Sequence, residues 1–200
     1  MELLSEIWLK MAFLFDPVQK IFNGDFWSEF KKHFRKYLSG NILDLACGTG
    51  EMRKYIKPKK YCGIDINSEY IKLGRKNYSF PNTKFELGDI MDLKIRENFD
   101  TCFFVSAAHH FSDKQLIKLS NSVKKLSIKY FIVVDGYPFG ILAPLLIWLD
   151  DKLGGGPYFR TVNQLEKIFQ NRLKVIKKGE FDAVNSIYRY PYLILRNTKI

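Results

Sequence analysis

From residue 41 onward the chain switches repeatedly between two hydrophobic periods. Apolar, β-rich runs occupy 41–46, 60–66, 83–87, 99–106 and 128–135. Between them, apolar positions recur at helical spacing over 51–56, stopped by Pro58, over 68–77, opened by Asn67 and Ser68, and over 113–126, opened by Asp113. Strands alternating with helices predict parallel strands joined by right-handed crossovers. After residue 135 the alternation pauses in an aromatic, proline- and glycine-rich insertion from Gly136 to Arg160. Thr161-Val162-Asn163-Gln164 then has capping-box form ahead of Leu165, Ile168 and Phe169. Two further strands, about 173–181 and 187–196, are joined closely enough for an antiparallel pair.

The first forty residues follow the helical period alone. Leu3, Leu4, Ile7, Trp8, Met11, Leu14 and Phe15 share one face, with Glu2, Ser5, Glu6 and Lys10 opposite. Asp16-Pro17 ends that segment and Asn23-Gly24-Asp25 breaks the chain again. Phe26, Phe30, Phe34, Tyr37 and Leu38 form a second stripe up to Gly40. These spacings predict two or three short amphipathic helices. The whole divides as one domain, 1–200: a helical cap (1–40), a core (41–135), a lid insertion (136–160), and a C-terminal helix with an antiparallel strand pair (161–200).

Composition changes this picture only in places. Two hundred residues suffice to bury roughly two-thirds of the unfolded chain's surface. The formal charge of +11 raises nucleic acid, anionic lipid or an acidic substrate as partners. The lysines, however, are scattered as Lys31-Lys32, Lys57 to Lys60, Lys124-Lys125 and Lys177-Lys178, beside turns or on polar helix faces, as solvated surfaces are. Cys47, Cys62 and Cys102 each lie in or next to a strand, with no zinc spacing, and read as small buried hydrophobes of a reducing compartment. Glu2 and Glu6 replace the positive start of a signal peptide, and Phe139 to Leu149 is too short to span a bilayer, so a cytoplasmic location is expected.

The chemistry should lie just after the strands, because ligands of open parallel sheets bind beyond the carboxyl ends. The first strand runs into Ala46-Cys47-Gly48-Thr49-Gly50, the second ends Gly63-Ile64-Asp65-Ile66, the third Gly88-Asp89-Ile90, and the fourth Val105-Ser106-Ala107-Ala108-His109-His110. A dinucleotide fingerprint would need a third glycine where Arg53 stands, and no Gly-Lys-Ser/Thr follows for a P-loop. Asp65 closes the second strand where a ribose-binding acid belongs, and a carboxylate there can accept from both hydroxyls. Asp89 could accept from an adenine amino group, with Ile66 and Ile90 as apolar walls. Taken singly, each acid also reads as a helix cap or turn aspartate.

In combination these segments resemble the class I S-adenosylmethionine-dependent methyltransferases, from about Gly40 to Asp135. "ILDLACGTGE" resembles the family's first motif, "GIDIN" its second, "LGDIMDL" its adenine-binding segment, and "FDTCFFVSAAHHFSD" its fourth strand and following loop. The resemblance implies an α/β, Rossmann-like seven-stranded sheet, mostly parallel with the last strand antiparallel and helices on both faces. It implies S-adenosylmethionine as cofactor, with Gly48 and Gly50 beside its methionine part, Asp65 on the ribose and Asp89 on the adenine amino group. Asp44 matches a position that often helps hold the cofactor's ammonium group. Ala46, Cys47, Ile66, Ile90, Val105 and Ser106 complete the expected cofactor contacts. Two departures stand out: Ala46 where the family often has glycine, and "KKLSIKYF" in place of the usual glycine-rich turn before the fifth strand.

Methyl transfer chiefly demands alignment of nucleophile, methyl and sulfur. A hydroxyl or acidic carbon acceptor also demands a base. His110 and His109 are the candidates, the alternative being that they pack under the lid or cap the next helix. Substrate selection falls to the two aromatic segments: Trp8, Phe13, Phe15 and Tyr37 on one side, Tyr137, Phe139, Trp148, Tyr158 and Phe159 on the other, with Gly154-Gly155-Gly156-Pro157 as a hinge. Phe15, Tyr137 and Arg160 are the substrate candidates; Arg160 could instead pair with Asp150 or Asp151. The expected function is methyl transfer to a small hydrophobic or aromatic molecule, with no specific nucleic acid and no metal. An RNA or protein methyltransferase, or a non-catalytic cofactor-binding module, are the alternatives. Membrane-surface contact and oligomeric state are left open.

Overall fold

Strand β1 (Asn41–Leu45) lies between β2 (Lys60–Asp65) and β4 (Phe99–Val105), with β3 (Thr83–Leu87) outside β2 and β5 (Ile128–Val134) outside β4. All of these pairings are parallel. The computed structural model describes residues 23–140, 143–152, 156 and 158–198. Trp8, Phe13 and Phe15 of the expected cap lie outside the described residues, as do Gly154, Gly155 and Pro157 of the expected hinge.

β8 (Tyr188–Arg196) runs antiparallel beside β5, and β7 (Lys174–Asp182) pairs with its other edge. An eighth strand that the hydrophobic pattern did not announce, β6 (Tyr137–Pro138), pairs with Arg189 and Tyr188. It keeps the register of β5, in which Val134 faces Tyr192, so β5 and β6 are collinear along one edge of β8. The break falls at Asp135-Gly136. Asp135 N donates to Pro191 O at 3.1 Å, and a proline has no N–H to return.

The sheet is buried on both faces, as parallel strands require. Leu43, Leu45, Cys62, Ile64, Phe104 and Phe131 pack with α4 (Asp113–Lys125) and α6 (Val162–Phe169). Ile42, Tyr61, Phe103 and Ile132 pack with Phe26, Phe30 and Phe34 of α1 (Phe26–Phe34) and Ile71 of α3 (Ser68–Asn77). Local signals set the helix starts. The Asn67 side chain accepts from Glu69 N and Tyr70 N, and Gln164 Oε1 accepts from Thr161 N at 2.8 Å. The short α2 (Met52–Tyr55) follows the glycine loop, and α5 (Ala143–Lys152) follows β6.

One ring organises the β1–β3 side. A Cβ on Gly50 would come within 2.3 Å of Phe85, and on Gly63 or Gly74 within 3.0 Å. Three segments therefore close around Phe85 because each presents a glycine to it. This gives Gly50 a packing reason, beyond the cofactor contact expected from its motif.

Candidate active site

The strand order reverses between β1 and β4, so their carboxyl ends form the switch-point crevice. Both turns there are left-handed: Ala46 has φ 55° and Ser106 φ 51°. For non-glycine residues this conformation costs roughly 1–2 kcal/mol each, which explains why glycine suits the position that Ala46 fills. Gly48 continues the turn at φ 55° and Gly50 at φ 78°.

Asp65 ties this loop to β2. Its Oδ2 accepts from Gly48 N and its Oδ1 from Asn67 N, both at 2.8 Å. Burial raises its pKa, and the backbone donors of Asn67 and Gly48 oppose that rise. Asp44 is deeper, 3% exposed, and accepts from Tyr61 Oη at 2.6 Å. Burial pushes its carboxyl up to about 7, against the Tyr61 hydrogen bond and with help from the charge of Asp65. Cys47 follows, half-buried, its thiol pushed up by burial and therefore not a thiolate nucleophile. Asp89 caps the short turn 90–92 through Met91 N at 2.8 Å and is exposed. Of the two isoleucines expected as walls, Ile66 lies open at 73% exposure, whereas Ile90 is packed into the core.

The loop after β4 carries the histidines. His109 Nδ1 lies 2.7 Å from Asp135 Oδ1, and its ring stacks on Phe159 with centroids 5.0 Å apart and planes at 9°. His110 packs against His109 at 4.3 Å. Burial, then the charge of His109, lowers the His110 pKa to about 3. The residue still exposes surface to solvent, which tempers the size of that depression and not its direction. A neutral His110 is a weaker base candidate than the sequence suggested. Asp135, 1% exposed, was not among the residues singled out from sequence; its signal was an acid closing a strand, as at Asp65.

Arg160 is an ion-paired, buried cation. Its guanidinium is 6% exposed, and it grips Asp113 Oδ1 at 2.7 and 2.9 Å and the carbonyls of Ala108, Phe111 and Tyr158. Asp113 is thus a carboxylate partner, and these bonds turn the guanidinium toward the histidine loop's backbone; the side chains of Asp150 and Asp151 lie outside the described residues. Tyr158 N donates to His109 O at 3.1 Å, and a Cβ on Gly156 would meet His109 O at 2.7 Å. Gly156, the one described residue of the expected hinge, is seated against that loop. Tyr137 and Val105 are half-buried at the ends of β6 and β4. A cavity of ≈ 170 Å³ lined by Asn23, Asp25, Trp27, Glu51 and Tyr55 adjoins the glycine loop. Another, ≈ 380 Å³, opens at the amino ends of β1–β3, away from the strand-end acids.

Three carboxylates at successive strand ends, an open isoleucine beside Asp65 and a turn exposing Gly48 backbone fit a nucleoside carrying an amino acid. The comparisons agree. Residues 42–127 match the family model described as a methyltransferase domain. Residues 42–127 are thus similar to a methyltransferase domain, and the fold is shared with solved S-adenosylmethionine-dependent methyltransferases.

The chain is 36% identical over 78 residues to the phthiotriol/phenolphthiotriol dimycocerosates methyltransferase of Mycobacterium leprae, which is 36% of this chain and 29% of that one. It is 28% identical over 104 residues to the fatty-acid O-methyltransferase of Mycolicibacterium smegmatis, 48% of this chain and 37% of that one. The matched stretches thus span about a third of these relatives' length. Its fold is that of magnesium protoporphyrin IX methyltransferase from Synechocystis with bound S-adenosylhomocysteine, at TM-score 0.66 and 15% identity over 90% of this chain and 87% of that one. Human N-acetylserotonin methyltransferase in complex with S-adenosylmethionine aligns at TM-score 0.67 and 16% identity over 94% of this chain and 55% of that one. The family's cofactor is S-adenosylmethionine.

Proposed function

We propose that the protein transfers the methyl group of S-adenosylmethionine to a small apolar acceptor of lipid type. In this reading Asp65 takes the ribose hydroxyls, Asp89 the adenine amino group, and Ile66 the ring face. Asp44 and the Gly48 backbone face the methionine end. Supplying the methyl is the cofactor's chemistry; the chain's part is to align the acceptor and exclude water.

The observation that carries the acceptor class is the set of large apolar side chains left exposed between β6 and α6. Phe139, Leu145, Trp148 and Tyr158 are all exposed, on or flanking α5. Tyr158 touches the histidine loop directly, and β6 leads into the same segment. Large apolar side chains left exposed close together in sequence mark a surface suited to an apolar ligand. The two relatives named for a fatty acid and for dimycocerosates support this class. The positive charge is interleaved with acids, as in Lys32 with Glu29, Lys72 with Glu69 and Lys178 with Glu166, which supports a solvated role for it.

The test is to incubate the protein with methyl-labelled cofactor and a cell extract divided into organic and aqueous phases. Label should enter an organic-phase product whose mass rises by one methylene. Label confined to RNA, protein or a water-soluble metabolite would overturn the lipid assignment.

A further inference from the structure

The ion pairs that neutralise lysines elsewhere stop at one end of the sheet. Tyr130, Arg196 and Lys174 stand in register across β5, β8 and β7. Arg196 and Lys174 are thus direct cross-strand partners of like charge, an arrangement that destabilises a sheet. Both are exposed, and neither enters an ion pair among the described residues.

Further cations are fixed at the same place. Asn197, 1% exposed, donates its N–H to Lys129 O at 3.1 Å and its side-chain amide to Lys124 O at 3.2 Å. The amino end of β5 and the end of α4 are thereby pinned beside Arg196. Arg172, just before β7, donates to Asn121 of α4 at 3.1 Å. On the other face, Tyr37 packs edge-on against Tyr130 with centroids 5.0 Å apart, which brings Lys36 in. Lys36 Nζ lies 4.9 Å from the Tyr37 ring centre, and Lys129 Nζ 5.4 Å from that of Tyr130. None of these four cations enters an ion pair among the described residues either. The acid on the neighbouring strand, Asp100, turns its Oδ2 to Asn41 N at 2.7 Å. Toward β1–β3 the same end is neutral again, with Lys60 paired to Glu97 and Lys84 to Glu86.

Stem packing on tyrosine rings gives Lys36 and Lys129 a structural reason, and a helix C-terminus gives one to Lys124. Neither accounts for Arg196 opposite Lys174. A repulsion that the fold does not offset points to an anion outside it.

We propose that this end of the sheet docks the phosphodiester backbone of a nucleic-acid strand, without reading its sequence. A strand of nucleic acid needs only spaced cations, because each phosphate neutralised releases condensed counterions. A bilayer-bound surface also buries an apolar face. Of the large apolar side chains left exposed among the described residues, Ile176 alone lies on β5, β7 or β8. The surface also faces away from the crevice, since the seven residues of β5 separate its two ends by about 20 Å. A membrane here would hold an apolar acceptor at the wrong end of the sheet. The surface is a place of attachment, not of reaction, and it stands whether or not the acceptor is a lipid.

The experiment follows the fluorescence anisotropy of labelled oligouridylate RNA and oligothymidylate DNA, each of about 20 nucleotides, titrated with the full chain from about 50 to about 200 mM KCl. With six phosphates contacted, log Kd should rise with log salt at a slope of about 4, and affinity should fall about 300-fold across that range. RNA and DNA should bind within about threefold of each other, because only the backbone is held. Lys129→Gln, Lys174→Gln and Arg196→Gln combined should cut the slope to about 2 and weaken low-salt binding at least about tenfold. A control triple variant that removes the same charge from ion-paired positions, Lys32→Gln, Lys72→Gln and Lys178→Gln, should stay within about threefold of wild type. Thermal midpoints no lower than wild type show that both variants fold. Wild type that retains neither strand at low salt, or shows a slope well below 2, would overturn the docking surface without recourse to any variant. Equal losses in the two triple variants would reduce the effect to net charge and overturn it as well. A tenfold preference for RNA or DNA would overturn recognition of the backbone alone. Binding to phosphatidylglycerol vesicles that the first triple variant loses, with neither strand retained by wild type, would give the surface to a membrane instead.

Discussion

Asp44 should make cofactor binding pH-dependent on the acid side of neutrality. Its carboxyl is raised from 3.8 to about 7 by burial. A folded pKa above the unfolded one favours the protonated acid, so its contribution to stability is full below pH 3.8 and is lost as pH rises through about 7. The loss amounts to at most about 4 kcal/mol, taking about 1.4 kcal/mol per unit. A cofactor ammonium placed near Asp44 reverses the preference, because an opposite charge favours the carboxylate. Binding below pH 7 must then expel a proton. If the complex titrates near the ordinary carboxylate range, affinity should drop about fifteenfold between pH 7 and pH 5.5. Above about pH 8 the ligand's own α-amino group deprotonates and affinity should fall again. Calorimetry with S-adenosylhomocysteine from pH 5.5 to 8.5 measures this, and buffers of different ionisation enthalpy count the released proton. Asp65, also raised by burial, adds its own slope, so the informative quantity is the difference between wild type and Asp44→Asn. Tyr61→Phe removes the hydrogen bond that opposes the rise and should move the acid limb to higher pH. Identical pH slopes in wild type and Asp44→Asn would refute the reasoning.

Three further substitutions probe the frame around the site. Phe85→Ala should destabilise by about 3–5 kcal/mol in denaturant unfolding, because Gly50, Gly63 and Gly74 have no side chains with which to fill the hole; a loss below about 1.5 kcal/mol would contradict the ring's role. Ala46→Gly relieves a left-handed φ worth roughly 1–2 kcal/mol against a chain-entropy cost of roughly 0.5–1 kcal/mol. Thermal unfolding should therefore show unchanged or slightly higher stability, and a clear loss would mean the turn is not strained. Arg160→Met keeps the bulk of the buried stem but strands the carbonyls of Ala108, Phe111 and Tyr158; it should slow turnover more than it weakens S-adenosylhomocysteine binding, and an equal effect on both would place Arg160 in the cofactor site after all.

Period and punctuation alone placed most of the sheet. The five parallel runs end within a residue of β1 to β5, and the 68–77 helix coincides with α3, because Asn67 caps it locally. What stayed hidden depends on partners far apart in sequence. His109 meets Asp135 across 26 positions, Tyr61 meets Asp44 across 17, and Arg160 meets Asp113 across 47. No local spacing encodes these pairs; they arise from which strand ends the topology brings together. Strand β6 escaped for another reason: two residues carry no period, and Pro191 on the facing strand cuts them off from β5. Arg53 was read only as the absence of a glycine, yet it is a buried cation held by Thr83, Asn82 and the Ile56 carbonyl.

The stacking of Phe159 on His109 has a consequence for kinetic analysis. The segment that follows α5 also packs on the imidazole, so a single piece of chain touches both the proposed acceptor surface and the histidine loop. Substitutions made at Tyr158 or Phe159 to alter substrate choice will disturb the ring's orientation as well. Their phenotype will then be a fall in kcat, the mark usually taken for a lost base, and selectivity will have to be read from competing substrates in one tube, where such a common factor cancels.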